Sequence, residues 1–391
     1  MSSTPTGTTR RRVAEVLEAT IGGTRRHFTA LVTRLPSEGF DVRAVCAVGR
    51  DPAFRDDIPR MQAAGATVTE LHMVRPISPA ADLRAYRALR ELLSRDRCDL
   101  VHTHSSKAGF VGRLAARASG VPVAVHSAHT FAFEMQAPAW KRAMYRALER
   151  HAARRTDLLI AVSEAERRVA IEAGLFTEGK IEVIPNGIDL REFDRRAGVG
   201  GEAIPGLAPD DLVVGTVGRL APQKGLRFLL DAAPAVLRAH PSALFVLIGD
   251  GELRPALARQ AERLGIANRV RLLGHREGVE RLYPLMRVFA LPSLWEACPY
   301  ALLEAMAARV PIVASALPAC AEILDGGSCG LLVPPGNSDA VATAICGLLA
   351  PGGSGAAMGE TGRRRVEQAY TIERQIAQVA AAYRRLLART S

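Results

Sequence analysis

The stretch that decides the fold is Pro292-Ser-Leu-Trp-Glu-Ala-Cys-Pro-Tyr-Ala-Leu-Leu-Glu-Ala-Met-Ala-Ala-Arg-Val-Pro-Ile-Val-Ala314. It follows the short apolar run 288–291, which predicts a buried strand that ends at a proline. Residues 300–308 are good helix formers, and 312–314 begins another apolar strand. Strand, loop, helix and strand in this order form the repeating unit of a parallel α/β sheet.

Two carboxylates, Glu296 and Glu304, mark this unit. Pro299 is predicted at the first helical position, where its missing N–H would be unpaired anyway. The helix N-terminus offers N–H groups and a positive dipole end to a phosphate. Glu304 lies about one and a half turns inside the helix, where a carboxylate can accept both hydroxyls of a ribose, and Glu296 would reach over the mouth of the site. The alternative is that both are surface glutamates.

A second loop carries two cations. The predicted strand 212–217 is followed by Gly-Arg219-Leu-Ala-Pro-Gln-Lys224-Gly and a helix. Arg219 and Lys224 stand at opposite ends of one short loop, where they can neutralise a diphosphate both when it is bound and as it leaves. The alternative is a pair of solvated surface residues. The loop is not a Walker A loop, because Gly-x4-Gly-Lys-[Ser/Thr] is absent.

Strands and helices alternate through both halves of the chain, which predicts doubly wound parallel sheets that bind ligands at the carboxyl ends of their strands. In the first half, strands are predicted at 12–19, 42–48, 67–71, 99–103, 122–126 and 157–161, and helices near 24–35, 54–64, 80–95, 106–119, 138–154 and 164–174. Glycines that follow strands would let the backbone approach a ligand closely. They are Gly22, Gly23, Gly249, Gly251 and Gly274.

Four histidines, His102, His104, His126 and His129, fall at predicted strand ends. A His-x-His pair can bind a metal, but no third ligand at a suitable spacing is evident. The sequence contains no Asp-x-Asp motif, so nothing in it suggests a carboxylate cage for Mg²⁺ or Mn²⁺. The six cysteines form no Cys-x-x-Cys pair and no zinc spacing. We therefore predict no metal site.

Taken together, these motifs resemble the retaining glycosyltransferases of family 4, which have the GT-B fold. The resemblance rests on Glu296-x7-Glu304 followed by Ala-Met-Ala and Pro-Ile-Val-Ala, on Gly-Arg219 with Lys224-Gly, and on the junction Pro-Asn-Gly-Ile-Asp189. It covers most of the chain. It implies two Rossmann-like domains that face an inter-domain cleft.

The resemblance also implies the domain boundaries. We expect an N-terminal Rossmann-like domain on the acceptor side at 1–190 and a linker at 191–211, which is rich in Gly, Pro and charge. A nucleotide-sugar-binding domain is expected at 212–365. The C-terminal helix, 366–391, is expected to pack back on the first domain.

Residue roles follow from the same resemblance. The donor would be a UDP- or GDP-sugar, with Glu304 on the ribose, Arg219 and Lys224 on the diphosphate, and Glu296 on sugar hydroxyls. His129 would contact the reacting sugar. Residues that border the donor would be Gly22, Gly23, Gly249, Gly251, Gly274, Ala297 and Pro299.

The implied reaction retains the anomeric configuration and uses neither a metal nor a cofactor. The acceptor would be a saccharide, lipid-linked in cell-surface polysaccharide synthesis, and no nucleic acid partner is expected. One alternative is an NDP-sugar 2-epimerase of the same fold, which would need further acid/base carboxylates that the sequence does not identify. The other is a non-catalytic nucleotide-sugar-binding subunit, expected to have lost the charged residues that are present here.

Three positions depart from the family pattern. Ala297 replaces a glycine after the first glutamate, so a Cβ would face the sugar. Arg309 stands where a glycine usually ends the helix, at a cost of about 1 kcal/mol if its backbone is left-handed. Pro318-Ala319 replaces a Gly-Gly pair.

Composition bounds the location and the partners. The net charge is +11 over 391 residues, which suits nucleotide diphosphates or an anionic membrane surface. In the helix 138–154, one stripe is basic: Arg142, Arg146, Arg150 and Arg154. The stripe beside it is apolar and expected in the core: Trp140, Met144, Leu148 and Ala152. A membrane-facing or pyrophosphate-facing surface is the alternative. No apolar run approaches the roughly 18–20 residues of a membrane span. No apolar signal core is expected after the polar and basic residues 1–12, because Glu15 and Glu18 interrupt the run that follows. We expect a cytoplasmic protein, peripheral to the inner membrane face.

Overall fold

The computed structural model describes residues 10–135, 137–199 and 204–390. The chain forms two compact α/β units, one built from residues up to Pro185 and from Gln375 onward, the other from residues 186–374. The predictions for the first nine residues and for positions 200–203 of the expected linker lie outside the described residues. No helix in the described part of the chain is both long and apolar enough to cross a bilayer.

The first unit is built on a parallel sheet in the order β3-β2-β1-β4-β5-β6-β7. Every residue of β4 and β5 is buried, as expected for central strands covered by helices on both faces. The predicted strand 12–19 ends earlier, at Leu17. The strands are β1 Arg12–Leu17, β2 Asp41–Cys46, β3 Thr67–Glu70, β4 Leu100–His104, β5 Val123–Ser127, β6 Leu158–Ala161 and β7 Ile181–Val183.

Helices connect these strands close to the predicted positions. Only the helix predicted at 54–64 differs clearly, because Pro52–Asp57 forms a 3-10 turn before the short α2. The helices are α1 Gly22–Arg34, α2 Ile58–Ala63, α3 Pro79–Asp96, α4 Ser106–Ala118, α5 Ala139–Ala153 and α6 Glu164–Glu172.

The second unit has a parallel sheet in the order β10-β9-β8-β11-β12-β13. Its strands are β8 Leu212–Val217, β9 Ala243–Ile248, β10 Val270–Gly274, β11 Val288–Leu291, β12 Ile312–Ser315 and β13 Leu331–Val333. The remaining helices are α7 Leu190–Ala197, α8 Leu226–Ala239, α9 Arg254–Arg263, α10 Tyr300–Ala307, α11 Pro318–Ile323, α12 Ser338–Leu349, α13 Gly355–Ala369 and α14 Ile372–Leu387.

Two segments differ from expectation. The expected linker 191–211 begins inside a helix, α7, whose Phe193 is buried and whose Asp194 pairs with Arg363 at 2.7 Å. A buried phenylalanine and a held carboxylate anchor this segment in the second unit. The expected C-terminal helix 366–391 contains the end of α13 and then α14, which are separated at residues 370–371.

The strand orders place the ligand-binding edges. In each sheet the order reverses beside one central strand, between β1 and β4 in the first unit and between β8 and β11 in the second. Loops that leave the carboxyl ends of such neighbouring strands diverge to opposite faces and open a crevice. The loops after β8 and β11 carry the predicted donor motifs. The loop after β1 leads into α1 at Gly22, and β4 itself ends at His104 of the His-x-His pair.

Candidate active site

In the second unit, the loops after β8 and β11 are joined by a salt bridge. Lys224 Nζ donates to Glu296 Oε1 at 2.6 Å, and only 16% and 6% of the two side chains are exposed. Ser293 Oγ donates to the same oxygen at 2.7 Å. Gln223 Nε2 donates to Oε2 at 3.4 Å. The structure therefore brings together two predicted catalytic residues that the sequence placed on separate motifs.

Backbone packing holds these two loops against each other. Gly225 has φ +58°, and a Cβ there would lie 2.1 Å from the Pro292 carbonyl oxygen, so only glycine allows the approach. The Leu294 N–H donates to the Gln223 carbonyl at 2.7 Å, and the Gln223 amide donates to the Trp295 carbonyl at 3.0 Å. Lys224 and Glu296 are consequently mounted on one rigid double loop.

This double loop can offer hydrogen-bond donors to an anion. An ammonium has three N–H donors, and Lys224 directs one to Glu296. A carboxylate can accept several bonds, and Oε2 of Glu296 receives only the longer contact from Gln223. Arg219, at the other end of the β8 loop, is exposed to solvent. The predicted pair of cations is thus one held ammonium and one solvent-facing guanidinium.

Glu304 lies inside α10 and is 4% exposed. Burying a carboxylate is costly unless it is hydrogen-bonded, and the Tyr283 hydroxyl donates to its Oε2 at 2.7 Å. Its burial contradicts the surface alternative. Pro299 is the N-cap of α10, one residue earlier than predicted, and Ala297 is half-buried. Sequence reasoning missed Tyr283, because nothing in a short 3-10 segment before β11 marks it.

The glycines predicted to face the nucleotide pack against protein backbone. A Cβ on Gly249 would lie 2.1 Å from the Gly218 carbonyl oxygen, and one on Gly251 would lie 2.5 Å from that of Leu220. The Gly249 N–H also donates to the Gly274 carbonyl at 2.8 Å. The close packing of the loops after β8, β9 and β10 therefore explains these glycines without a ligand.

In the first unit, Gly22 and Gly23 form the first turn of α1 and not the expected preceding loop. Gly22 has φ +55°, and a Cβ there would meet nothing within 4 Å. Its requirement for glycine is therefore conformational. The N-cap residue Ile21 makes no side-chain cap, and the first turn carries no acidic residue.

A buried polar cluster lies at the carboxyl ends of β1, β4 and β5. The Tyr383 hydroxyl donates to Glu15 Oε1 at 2.7 Å, and Glu15 Oε2 contacts His104 Nε2 at 2.7 Å. His104 Nδ1 contacts His129 Nε2 at 3.3 Å. Burial raises the pKa of Glu15 to about 8 and lowers the pKa of His104 to about 3. Glu15 and His104 are thus both uncharged at neutral pH.

The loop that carries His129 has unusual backbone geometry. His129 and Thr130 have φ of 53° and 87°, where side chains are strained, and Ser105 after β4 has φ of 66°. The buried carboxylate of Glu166 accepts the Thr130 N–H at 2.8 Å with one oxygen and the Val162 N–H at 2.8 Å with the other. Glu166 therefore fixes the strained turn at His129.

The cluster also offers a possible metal-ligand set. Ring nitrogens of His27, His104 and His129 lie within 4.8 Å of one another, and so do the ligand atoms of Glu15, His102 and His104. The sequence showed no third ligand at a suitable spacing, and the structure adds His27 beside His104 and His129. His27 comes from α1, far from the His-x-His pair in sequence, so spacing alone could not reveal it. His126 belongs to neither of these two ligand groups, and its Nδ1 contacts the Thr103 carbonyl at 3.0 Å.

Helix α5 is more exposed than expected. Trp140 of the predicted core stripe is 67% exposed, whereas Ala152 at the other end is fully buried. Two arginines of the basic stripe are held by the protein: Arg142 donates to the Phe133 carbonyl at 3.1 Å, and Arg150 donates to that of Ala173 at 3.0 Å. The expectation of an apolar stripe wholly in the core was wrong at its N-terminal end.

Two solved structures share this architecture. Sucrose-phosphate synthase of Thermosynechococcus elongatus aligns with a TM-score of 0.81 at 21% identity, over 97% of this chain and 100% of that chain. HepE of Anabaena, in complex with UDP and glucose, aligns with a TM-score of 0.78 at 22% identity, over 96% and 99%. The protein has the GT-B fold, as predicted.

Sequence comparison gives the family. A model described as Glycosyltransferase Family 4 matches residues 21–192, and one described as Glycosyl transferases group 1 matches residues 211–351. The UDP-Gal:alpha-D-GlcNAc-diphosphoundecaprenol alpha-1,3-galactosyltransferase of Escherichia coli is 37% identical over 287 residues, which are 72% of this chain and 73% of the relative. The chain belongs to glycosyltransferase family 4, which confirms the predicted family and the transferase class.

Proposed function

We propose that this protein transfers galactose from UDP-galactose to a lipid-linked saccharide diphosphate, with retention of the anomeric configuration, at the cytoplasmic face of a membrane. The held ammonium of Lys224 beside Glu296 carries the proposal, because a fixed cation on a strand-end loop suits a departing diphosphate. The donor and acceptor classes are supported by the name of the E. coli relative. The reaction would serve cell-surface polysaccharide synthesis.

In this proposal the second unit holds the nucleotide. Glu304 accepts the ribose hydroxyls while Tyr283 orients its carboxylate. Lys224 keeps one bond to Glu296 and turns its other donors to the diphosphate, and Arg219 adds a second cation from solvent. Charge then develops on the leaving phosphate against groups already in position, which lowers the barrier.

We propose two hydrogen-bonding contacts to the sugar. Glu296 Oε2 accepts a sugar hydroxyl, and His129 is the second contact. The half-buried Ala297 places a methyl group next to Glu296. An α-linked product made from an α-linked nucleotide sugar retains its configuration, and the leaving phosphate can take the proton of the attacking hydroxyl. We propose that no metal takes part.

The transfer assay tests this proposal. Purified protein is incubated with radiolabelled UDP-galactose, UDP-glucose, UDP-N-acetylglucosamine or GDP-mannose and a synthetic GlcNAc-diphospholipid, with and without EDTA. We expect one α-linked product from UDP-galactose, undiminished by EDTA and assigned by its anomeric proton coupling. Conversion of the nucleotide sugar without acceptor would support a 2-epimerase instead. Complete loss with EDTA would contradict the metal-free mechanism.

Membrane contact is a separate part of the proposal. Trp140 is 67% exposed, and the Lys141 ammonium lies 6.0 Å from the centre of its ring. Tryptophan beside a cation is typical of side chains at an anionic membrane surface. Trp140→Ala should weaken sedimentation with phosphatidylglycerol vesicles severalfold, whereas Leu285→Ala, which removes a 38% exposed side chain of the second unit, should not. Equal binding by both variants would remove the membrane contact and leave the transfer proposal intact.

A further inference from the structure

Two buried polar atoms of the first unit lie one residue beyond the paired ends of β1 and β4. Leu17 and His104 are register partners at these ends, and Glu18 and Ser105 follow them directly. Oε1 of Glu18 and Oγ of Ser105 are both buried, and neither has a hydrogen-bond partner among the described residues. Buried polar atoms without partners are rare in folded proteins, so this pair needs an explanation.

The place of these two groups in the fold is one where a ligand is expected. The strand order of the first sheet reverses between β1 and β4, which opens a crevice at the carboxyl ends of these two strands. Neighbouring strands lie about 4.8 Å apart, so the backbone at Glu18 and at Ser105 flanks this crevice. The two unpaired groups therefore stand on the two strands that border it.

Among the described residues, one long contact holds the carboxyl group of Glu18. Glu18 is 3% exposed, and Arg50 Nη1 donates to its Oε2 at 3.5 Å, which is at the long limit of a hydrogen bond. The backbone is held more firmly, because Thr20 donates its hydroxyl to the Ala47 carbonyl at 2.8 Å and its N–H to the Glu18 carbonyl at 2.9 Å. Glu18 is therefore a positioned carboxyl group with one oxygen unused.

The hydroxyl of Ser105 is likewise unused by the local structure. Ser105 is the N-cap residue of α4, where a serine usually accepts a hydrogen bond from the helix N-terminus. Its Oγ makes no such cap. Ser105 as a whole is half-buried, so a ligand can approach it from solvent.

A sugar hydroxyl complements this pair, because a hydroxyl both donates and accepts hydrogen bonds. It can donate to Oε1 of Glu18 and accept the hydroxyl proton of Ser105. The surrounding charge is positive: burial raises the pKa of Glu18, and the cations Arg50, Lys107 and Arg75 oppose that rise. Positive charge beside groups that bind hydroxyls suits a saccharide that carries a diphosphate.

We propose that Glu18 and Ser105 bind hydroxyl groups of the acceptor saccharide, and that the crevice between β1 and β4 is the acceptor site of the first unit. The proposal rests on the proposed function, in which the acceptor is a saccharide linked to a lipid diphosphate. Oε1 of Glu18 accepts a hydroxyl proton, and Oγ of Ser105 makes a second hydrogen bond. Arg50 can turn from Glu18 towards the ligand, because its present contact is long.

A structural role is the competing explanation. An ordered water between the two groups would satisfy both atoms without any ligand. Substitution would then disturb the fold and leave the acceptor kinetics alone. For a ligand site the reverse is expected, because a buried polar atom without a partner destabilises the free protein, and its removal relieves that cost.

Acceptor kinetics separate the two explanations. In Glu18→Gln the amide oxygen can stay with Arg50, so that an N–H donor takes the place of Oε1. The KM for a synthetic GlcNAc-diphospholipid should rise about 10-fold, while the KM for UDP-galactose stays unchanged. Ser105→Ala should raise the acceptor KM about threefold. Glu70→Gln, the matched control, changes another glutamate of the first unit that pairs with an arginine, and it should change neither constant.

Thermal unfolding completes the comparison. Glu18→Leu removes the unpaired oxygen and keeps a side chain of similar size, so its Tm should equal or exceed that of the wild type while the acceptor KM rises. A lower Tm with an unchanged acceptor KM would overturn the proposal in favour of a structural role. A raised KM for UDP-galactose alone would overturn it as well, because the pair would then contact the donor sugar.

Acceptor analogues that each lack one sugar hydroxyl identify the group that Glu18 binds. For one of them the wild type and Glu18→Gln should have the same acceptor KM, because the contact is already lost. Additive losses with every analogue would overturn the contact.

Direct binding keeps the test independent of turnover. If no UDP-sugar is transferred, the proposed function fails, and calorimetric titration of a short-chain GlcNAc-diphospholipid still tests the site. The wild type and Glu70→Gln should bind it, and Glu18→Gln should bind it about 10-fold more weakly. Equal binding by all three proteins, or no binding by any of them, would overturn the proposal.

Discussion

The two units place their polar side chains at equivalent edges of their sheets, yet they build them from different chemistry. The second unit presents an ion pair, Lys224 with Glu296, on loops that follow neighbouring strands. The first unit presents neutral groups, with Glu15 and His104 buried behind His129. A charged pair can exchange a partner for a diphosphate, whereas neutral rings and a carboxyl group can only arrange donors and acceptors. On this contrast we propose that nucleotide binding belongs to the second unit, and that His129 of the first unit adds a neutral contact to the sugar.

The largest expected effect comes from removing the ammonium of the second unit. Lys224→Ala should lower kcat for transfer by about 10²–10³-fold, because a preorganised cation is lost from the leaving group. Glu296 would also lose its partner in a nearly buried site. Steady-state kinetics measures the effect. Lys180→Ala, which removes an exposed lysine of the first unit, is the matched control, and equal activity of the two variants would contradict the role of Lys224.

Glu304→Gln tests the proposed ribose contact of the second unit. The amide presents N–H donors where the ribose hydroxyls need acceptors, so UDP affinity should fall at least about 10-fold, or ~1.4 kcal/mol. Calorimetric titration of UDP measures it. Glu262→Gln, an exposed change on α9, should leave the affinity unchanged. Unaltered affinity in Glu304→Gln would remove the ribose contact from the proposal.

The neutral cluster of the first unit predicts an unusual dependence of stability on pH. The pKa of Glu15 is raised from 4.5 to about 8, so the folded protein retains a proton that the unfolded chain has lost, and stability falls as pH rises between these values. The pKa of Glu166 is raised to about 7, so this group also makes stability fall as pH rises towards that value. The pKa of the buried His104 is lowered, so this group makes stability rise with pH below 6.5. Glu15 therefore contributes most of the fall between about pH 7 and about pH 8, and Glu166 contributes the smaller part.

Urea unfolding across this interval measures the effect. The free energy of unfolding of the wild type should fall by about 1 kcal/mol, close to the limit of one proton per pH unit. Glu15→Gln has no such proton to lose and should keep only the smaller part of the fall that Glu166 contributes. An identical fall in both proteins would contradict the protonated state of Glu15.

The smallest expected effect concerns strain outside both sites. Arg309 has φ of 59°, like the strained Thr130, but its exposed ion pair with Glu360 provides little stability. Arg309→Gly should therefore raise the free energy of unfolding by about 0.5–1 kcal/mol without changing activity. Arg309→Ala, which keeps a Cβ, should give no gain. A loss of activity in Arg309→Gly would mean that this strain also serves the site.

The same comparison explains what sequence could predict. Glu296, Glu304 and Lys224 lie in short motifs between a strand and a helix, so local pattern places them at a sheet edge. Their mutual contacts depend on how neighbouring loops pack, and the direct bond between Lys224 and Glu296 spans 72 residues.

In the first unit, the decisive contacts are not local. Tyr383 reaches Glu15 across 368 residues, and a glutamate inside a buried strand or a tyrosine on a late helix carries no distinguishing pattern. Gly249 and Gly251 show the converse case. The sequence showed their glycine motif, but it did not show which backbone segments pack against these two glycines. Local chemistry was thus predictable, and contacts set by tertiary packing were not.

The most direct test of the division between the units is UDP binding by two variants, measured by calorimetry beside their transfer activity. His129→Ala should bind UDP like the wild type and lose transfer. Lys224→Ala should lose both. If His129→Ala lost UDP affinity as Lys224→Ala does, or if Lys224→Ala bound UDP normally, the assignment of nucleotide binding to the second unit would be contradicted.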